Sequence, residues 1–255
     1  MSTLFMEDVN LIFGDGAGGS HIEGGETFLF RPGMVYFAYD CHNEFSEGSR
    51  NMITIIDYKA GNAPSVLHAV THLGYESRFA RSPQDLADAT HIILPGVGSA
   101  KATMDSLREM NLIETLEDAV LRKKVFFIGI CVGLQILFEH SAEDDTDCLG
   151  WLKGRVVKFD VSKVRVPQMG WNQVRFVKNA PCGGKEGYFY FVNSYHAKPE
   201  NESDLWGVAD YNGKFTAAVQ RENIFATQFH IEKSGEAGLA LFNGFLSLKQ
   251  GADLC

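Results

Sequence analysis

Long hydrophobic runs are absent from this sequence, and so is an excess of basic residues. No stretch reaches the roughly 18 consecutive apolar residues of a membrane-spanning helix, and no basic region followed by an apolar run marks a secretory signal. The 23 Lys and Arg are outnumbered by 32 Asp and Glu, for a formal net charge of −9, whereas nucleic-acid binders usually carry a basic stripe. The sequence therefore predicts a cytoplasmic protein that binds neither a membrane nor nucleic acid.

Cysteine is scarce and irregularly spaced. The five residues stand at 41, 131, 148, 182 and 255, with no C-x-x-C pair. An odd number at such spacings predicts reduced thiols in a cytosolic protein rather than a disulfide framework or a zinc site. We expect no metal and no cofactor.

Residues 1–51 differ in composition from the rest of the chain. They hold eight acidic residues against two arginines, together with eight of the 26 glycines and eight aromatic residues. Disordered segments usually contain few aromatics, so a small hairpin and a poorly ordered tail both stay open. The run GDGAGG at 14–19 lacks the ending and the preceding strand of a phosphate-binding loop. We predict an N-terminal extension of unknown role over 1–51 and one domain over 52–255.

From residue 52 onward, short apolar runs alternate with helical periods. The pattern predicts buried strands at 52–57, 91–96 and 125–130, helices at 62–73, 99–122, 132–139 and 235–248, and further strands at 173–178, 188–192, 206–210, 215–219 and 224–229. Alternating strands and helices favour parallel strands with both faces covered. The fold class is therefore α/β, with a mixed, mainly parallel central sheet and helices on both faces.

The segment 129–133, GICVG, follows an apolar strand and opens a helix. This is the setting of a nucleophile elbow, with Cys131 where many hydrolases carry Ser. A helix N-terminus directs free N–H groups and the positive end of its dipole at the sulfur, which favours the attacking thiolate. We predict Cys131 as nucleophile and the backbone N–H of Val132 as an oxyanion donor. The competing interpretation is a structural cysteine between packing glycines.

A cysteine nucleophile needs a base, and the segment ATQFHIEKS offers His230 at the end of an apolar strand. Glu232, two residues on, can orient the imidazole; the alternative is an ordinary surface histidine. The loop PGVG at 95–98 follows another strand. Such loops commonly supply a second oxyanion donor, although this one taken alone is an ordinary turn.

These features together resemble the class I, triad-type glutamine amidotransferases, which have a flavodoxin-like fold, and within them the glutaminase subunits of imidazole glycerol phosphate synthases. The resemblance covers residues 52 to about 248. It rests on the motifs IIDYKAGN (55–62), LPGVG (94–98), GICVGLQILFE (129–139), LGWLKGRV (149–156), VPQMGWNQV (166–174), YFVNSYHA (190–197) and TQFHIEKSG (227–235).

By position, the resemblance implies Cys131 as nucleophile, His230 as acid and base, and Glu232 as its orienting partner. Further positions are implied to contact the oxyanion or the glutamine: Gly96, Val132, Gln135, Ser194 and Tyr195. Positions near the interface with a partner subunit are implied for Asn62, Trp171 and Lys233. That partner is a cyclase with a (β/α)8 barrel, which forms a heterodimer with the glutaminase and uses its ammonia in histidine biosynthesis.

Three other hypotheses remain open at this stage. The same chemistry can supply ammonia to another acceptor, such as a surface-polysaccharide sugar. The fold can serve a non-catalytic subunit, although such proteins usually lack the Cys or the His. A thiol hydrolase of γ-glutamyl compounds would need no partner.

Overall fold

The computed structural model describes residues 51–58 and 62–249, so the predictions for 1–50 lie outside the described residues. Its strands are β1 Ile53–Ile56, β2 Ser77–Ala80, β3 His91–Leu94, β4 Phe126–Ile130, β5 His140–Ser141, β6 Thr146–Asp147, β7 Gly154–Lys158, β8 Gln168–Phe176, β9 Gly187–Asn193, β10 Tyr195–Pro199, β11 Leu205–Asp210, β12 Lys214–Arg221 and β13 Ile224–Thr227. Its α-helices are α1 Ala63–His72, α2 Ala100–Glu109, α3 Ile113–Glu117, α4 Val132–Gln135 and α5 Gly235–Leu246. In this part of the chain, no helix is long and apolar enough to cross a membrane.

The central sheet is mixed and has nine strands in the order β2-β1-β3-β4-β13-β12-β11-β8-β9. The pairs from β2 to β13 are parallel, and the pairs from β13 to β9 are antiparallel. The residues of β1, β3 and β4 are all buried, which is the signature of parallel strands covered on both faces. The α/β class with a mixed sheet is confirmed.

A second sheet consists of four short strands in the order β10-β7-β5-β6. None of these four strands is in the sequence prediction, and neither is β2. The pair β7 and β10 is antiparallel, with Tyr195 opposite Lys158. The last residue of β9 and the first of β10 are separated only by Ser194, so the chain passes from one sheet to the other across a single residue.

The prediction of one continuous helix over 99–122 is wrong. Helix α2 ends at Glu109, and Asn111 adopts a left-handed conformation with φ 55° before α3 begins. Asparagine visits that region more readily than most residues. A π-helical turn, Asp118–Arg122, completes the segment.

The helix predicted over 132–139 is too long, because α4 ends at Gln135. The carbonyl groups of Ile136, Leu137 and Phe138 accept hydrogen bonds from the backbone of residues 149–152 instead of continuing the helix. The predicted strands at 91–96 and 224–229 are each two residues too long for a related reason, since their last residues form the loops of the site.

The carboxyl ends of four neighbouring parallel strands, β1, β3, β4 and β13, meet at one edge of the central sheet. Ligand sites of open α/β sheets form outside this edge. The loops that follow these strands begin at residues 57, 95, 131 and 228, so the motifs read from the sequence converge there.

Candidate active site

Cys131 occupies a sharp turn between β4 and α4. Its backbone has φ 56° and ψ −105°, a conformation that is rare for a residue with a side chain. Strain of this kind is common at functional sites, where the surrounding structure enforces it. The Cys131 N–H donates to Thr227 O at 2.7 Å, which joins the turn to the end of β13. The predicted nucleophile elbow is therefore present.

Two glycines allow the elbow to lie against the PGVG loop. A Cβ on Gly133 would stand 2.2 Å from Leu94 O, and a Cβ on Gly96 would stand 2.6 Å from Gly133 N. Both neighbours are backbone atoms that have little freedom to move. Glycine is therefore required by close approach at these positions, and the approach brings the loop after β3 next to Cys131.

The base and its partner lie at the same edge of the sheet. His230 Nδ1 is 2.8 Å from Glu232 Oε1, and both side chains are buried. Burial by itself lowers the pKa of His230, but hydrogen bonds and charge interactions with Cys131 and Glu232 outweigh it and raise that pKa to about 10. Burial raises the pKa of Glu232, but the bond and charge of His230 prevail and hold it below its ordinary value. An ionised Glu232 beside a protonated His230 is the favoured state.

Asn62 completes this pair. Its Nδ2 donates to Glu232 Oε1 at 2.6 Å, so the carboxylate oxygen that meets the imidazole also accepts from the amide. Ser234 fixes the loop by donating its hydroxyl to His230 O at 2.6 Å and accepting from Tyr190 N at 3.0 Å. Asn62 is only 5% exposed, so in this structure it positions Glu232.

A cavity of roughly 270 Å³ opens over the sulfur. Most of the predicted site residues surround this one space, and its walls include Cys131, Val132, Gln135, Ser194, Tyr195 and His230. The PGVG loop contributes Val97 and Gly98, whereas Gly96 packs against the elbow. The oxyanion roles of Gly96 and Val132 stay predictions.

Several residues of the site were missed by the sequence analysis. Glu143 lines the cavity, and burial raises the pKa of its carboxyl group. Gln228 Nε2 lies 3.6 Å from Cys131 Sγ. Tyr58 donates its hydroxyl to Pro95 O at 2.8 Å and so fixes the PGVG loop. The motifs that contain Tyr58 and Gln228 were available, but Glu143 follows no recognisable pattern.

The remaining predicted residues, Trp171 and Lys233, lie on the surface outside the cavity. Trp171 is 57% exposed on β8 and packs edge-on against Tyr190. Within the described ranges, no group of three or more His, Cys, Asp or Glu is arranged to hold a metal ion. The groups that meet at this edge of the sheet are the thiol of Cys131, the imidazole of His230 and the carboxylate of Glu232.

Comparisons with known proteins agree with this geometry. Residues 54–248 match the family model described as glutamine amidotransferase class-I. The chain is 41% identical over 204 residues to the imidazole glycerol phosphate synthase subunit HisH of Leptospira interrogans, covering 77% of this chain and 100% of that protein. It is 41% identical over 209 residues to the protein of the same name from Neisseria meningitidis serogroup B, covering 76% and 98%.

Solved structures share the fold. The structure of PurLQS from Thermotoga maritima superposes with a TM-score of 0.62 at 19% identity, covering 78% of this chain and 98% of that chain. A glutamine amidotransferase crystal structure also gives 0.62, at 17% identity and with 76% and 97% coverage. With a family model that matches most of its length and a Cys-His-Glu site at the expected edge of the sheet, the chain belongs to the class-I glutamine amidotransferases.

Proposed function

We propose that this chain is the glutaminase subunit of an imidazole glycerol phosphate synthase. It hydrolyses L-glutamine to glutamate and ammonia, and it passes the ammonia to a (β/α)8-barrel cyclase in a heterodimer of the cytoplasm. The observation that carries the chemistry is the position of His230, bonded to Glu232 and facing the strained Cys131 across one cavity. The names of the curated relatives support the choice of pathway.

The polar groups of the cavity suit glutamine in one orientation. Gln135 Nε2 donates to Tyr195 O at 3.2 Å and to Gln228 Oε1 at 3.1 Å, so both of its hydrogens are engaged. Its Oε1 then offers only an acceptor to a ligand. Glu143 adds a carboxylate to the same wall. Two acceptor groups fit the α-ammonium group of glutamine, which places the carboxamide over Cys131.

The reaction follows from the state of the triad. The thiolate of Cys131 attacks the carboxamide carbon, and backbone N–H groups of the elbow and the PGVG loop stabilise the oxyanion, each worth about 3 kcal/mol. The C–N bond breaks as His230 gives its proton to the leaving nitrogen, which departs as ammonia. His230 then takes a proton from water as that water attacks the thioester. The C–S bond breaks, which frees glutamate and restores the thiolate of Cys131 beside a protonated His230.

Ammonia released into neutral water would be protonated and lost as a nucleophile, so the site needs a partner that covers it. A ladder of outward-facing side chains on β8 and β9 offers the surface, with Met169 opposite Val192 and Trp171 opposite Tyr190. Met169 is 66% exposed, although it is hydrophobic. Val192 also lines the cavity, so this apolar face continues to the site. We assign it to the cyclase, and we propose the exposed Lys233 as a further contact with that partner.

The test is Cys131→Ala in the complex with a candidate cyclase. Glutamine-dependent turnover should disappear, while turnover with added ammonia should stay at the wild-type level because the cyclase is intact. Loss of both activities would contradict the assignment, and so would glutamine-dependent turnover in the variant. If the wild-type chain hydrolyses glutamine but the cyclase makes no use of its ammonia, the ammonia serves a different acceptor.

A further inference from the structure

The buried amide of Gln228 contacts the nucleophile, although it belongs to no part of the triad. Gln228 follows β13 and is 0% exposed. Its Nε2 lies 3.6 Å from Cys131 Sγ, within the longer range of hydrogen bonds to sulfur, and its Oε1 accepts from Gln135 Nε2 at 3.1 Å. One side chain therefore connects the attacking atom with the wall of the substrate cavity.

A backbone carbonyl determines which end of this amide faces the sulfur. Tyr195 O can only accept, so the atom of Gln135 that lies 3.2 Å from it must be the nitrogen. That nitrogen also donates to Gln228, whose group on this side must therefore be the oxygen. The opposite end of the Gln228 amide is an N–H donor, and it is directed at Cys131. A flipped amide would bring two donors together.

The neighbours of the sulfur respond differently to its charge. Val192 O lies 3.8 Å from Cys131 Sγ and accepts from the neutral thiol, whereas it repels a thiolate. The Gln228 N–H favours the thiolate, because hydrogen bonds to an ionised acceptor are stronger than those to a neutral one. Since Gln228 has no exposed surface, its N–H has no competing hydrogen bond to bulk water.

We propose that Gln228 is a further catalytic residue, which donates a hydrogen bond to the Cys131 thiolate and couples it through Gln135 to the bound end of the substrate. The identity of that substrate rests on the proposed glutaminase function. The sequence of contacts runs from Cys131 to Gln228, then to Gln135, and on to the carbonyl of Tyr195. The side-chain amides of Gln135 and Gln228 thereby link the site that binds the amino-acid end of the ligand to the sulfur that attacks it.

The first test is Gln228→Met, which keeps the length of the side chain and removes both the donor and the acceptor. The rate of Cys131 alkylation by iodoacetamide is measured against pH in the full chain, without any partner. The midpoint should rise by about one pH unit, and kcat in the complex should fall about ten- to a hundredfold, as expected for a hydrogen bond to a charged group. KM should rise as well, because Gln135 loses an acceptor.

Gln228→Glu separates the two contacts, since it keeps the oxygen that accepts from Gln135 and removes the donor. Its KM should stay near the wild-type value, and its alkylation midpoint should rise, because the donor is lost and a carboxylate is added beside the thiolate. The matched control is Gln220→Met, another buried glutamine, whose Nε2 donates to Glu222 O and which does not line the cavity. It should leave the midpoint and kcat unchanged.

A folded Gln228→Met or Gln228→Glu variant with the wild-type midpoint would overturn the inference. If the methionine variant fails to fold, Gln228→Leu, which also lacks the donor and the acceptor and adds no charge, decides the question. A shifted midpoint in a chain that lacks glutaminase activity would sustain this role of Gln228 and contradict the proposed function, so the two failures are distinguishable.

Discussion

Asn62 offers a sharp test of how the triad is held together, because the sequence and the structure assign it different roles. The resemblance places it near the partner interface, whereas its amide donates to Glu232 Oε1 at 2.6 Å inside the fold. Asn62→Ala removes a hydrogen bond to a buried charged group, worth about 1.5–3 kcal/mol. If this loss is expressed in the transition state, kcat of the complex falls about ten- to a hundredfold.

The pH profile gives the same experiment a second readout. The Asn62 bond is one of the causes that lower the pKa of Glu232, so its removal raises that pKa. Because His230 needs an ionised Glu232, the acid limb of glutaminase activity should move to higher pH. Asn223→Ala is the matched control, since Asn223 is equally buried and donates to Val120 O and Val125 O away from the cavity. Unchanged kcat with weaker binding to the cyclase would refute the positioning role.

Three further predictions concern the elbow, the core and the docking face. Gly133→Ala should cost about 3 kcal/mol of unfolding free energy by denaturant titration, because its Cβ would meet Leu94 O at 2.2 Å; a wild-type midpoint would contradict this. Burial lowers the pKa of His91 from 6.5 to about 4. Between pH 6.5 and pH 4, the unfolded chain therefore binds a proton at His91 and the folded chain does not. As the pH falls from 7 to 4, the folded state should lose about 3 kcal/mol of stability through this group. Denaturant titrations at the two pH values should show that His91→Phe abolishes this loss. An unchanged loss in the variant would exclude His91 as its source. Trp171→Asp should weaken cyclase binding more than tenfold by calorimetry, while Cys131 alkylation stays normal. The control is Val161→Asp, at another exposed hydrophobic residue. Equal effects of the two substitutions would contradict the assignment of the β8 and β9 face to the cyclase.

The strand ends that carry chemistry were predictable from sequence because their signals are local. An apolar run followed by a glycine-rich turn predicts both the strand and the elbow, and the structure has them at β4 and Cys131. The same holds for the pair His230 and Glu232, whose spacing of two residues already suggests an oriented imidazole. These features depend on only a few neighbouring residues.

Features that depend on distant contacts were not predictable. Helix α4 stops at Gln135 because residues 149–152 donate to the carbonyl groups of the next three residues. Strand β10 forms only because β7, some 40 residues earlier in the chain, lies beside it. Glu143 reaches the cavity through this second sheet, which the sequence analysis missed. The contact of Gln228 with Cys131 likewise arises from two strands that pair across almost 100 residues.

Covalent labelling tests the central claim most directly. The complex is incubated with a glutamine analogue that carries an electrophilic carbon at the carboxamide position, and the labelled peptides are mapped by mass spectrometry. Burial raises the pKa of Cys148 to about 11 and that of Cys182 to about 12, so both stay as unreactive thiols. One label per chain on Cys131, blocked by excess glutamine and slowed by His230→Ala, is the expected result. Labelling of Cys148 or Cys182 instead, or labelling that glutamine does not block, would contradict it.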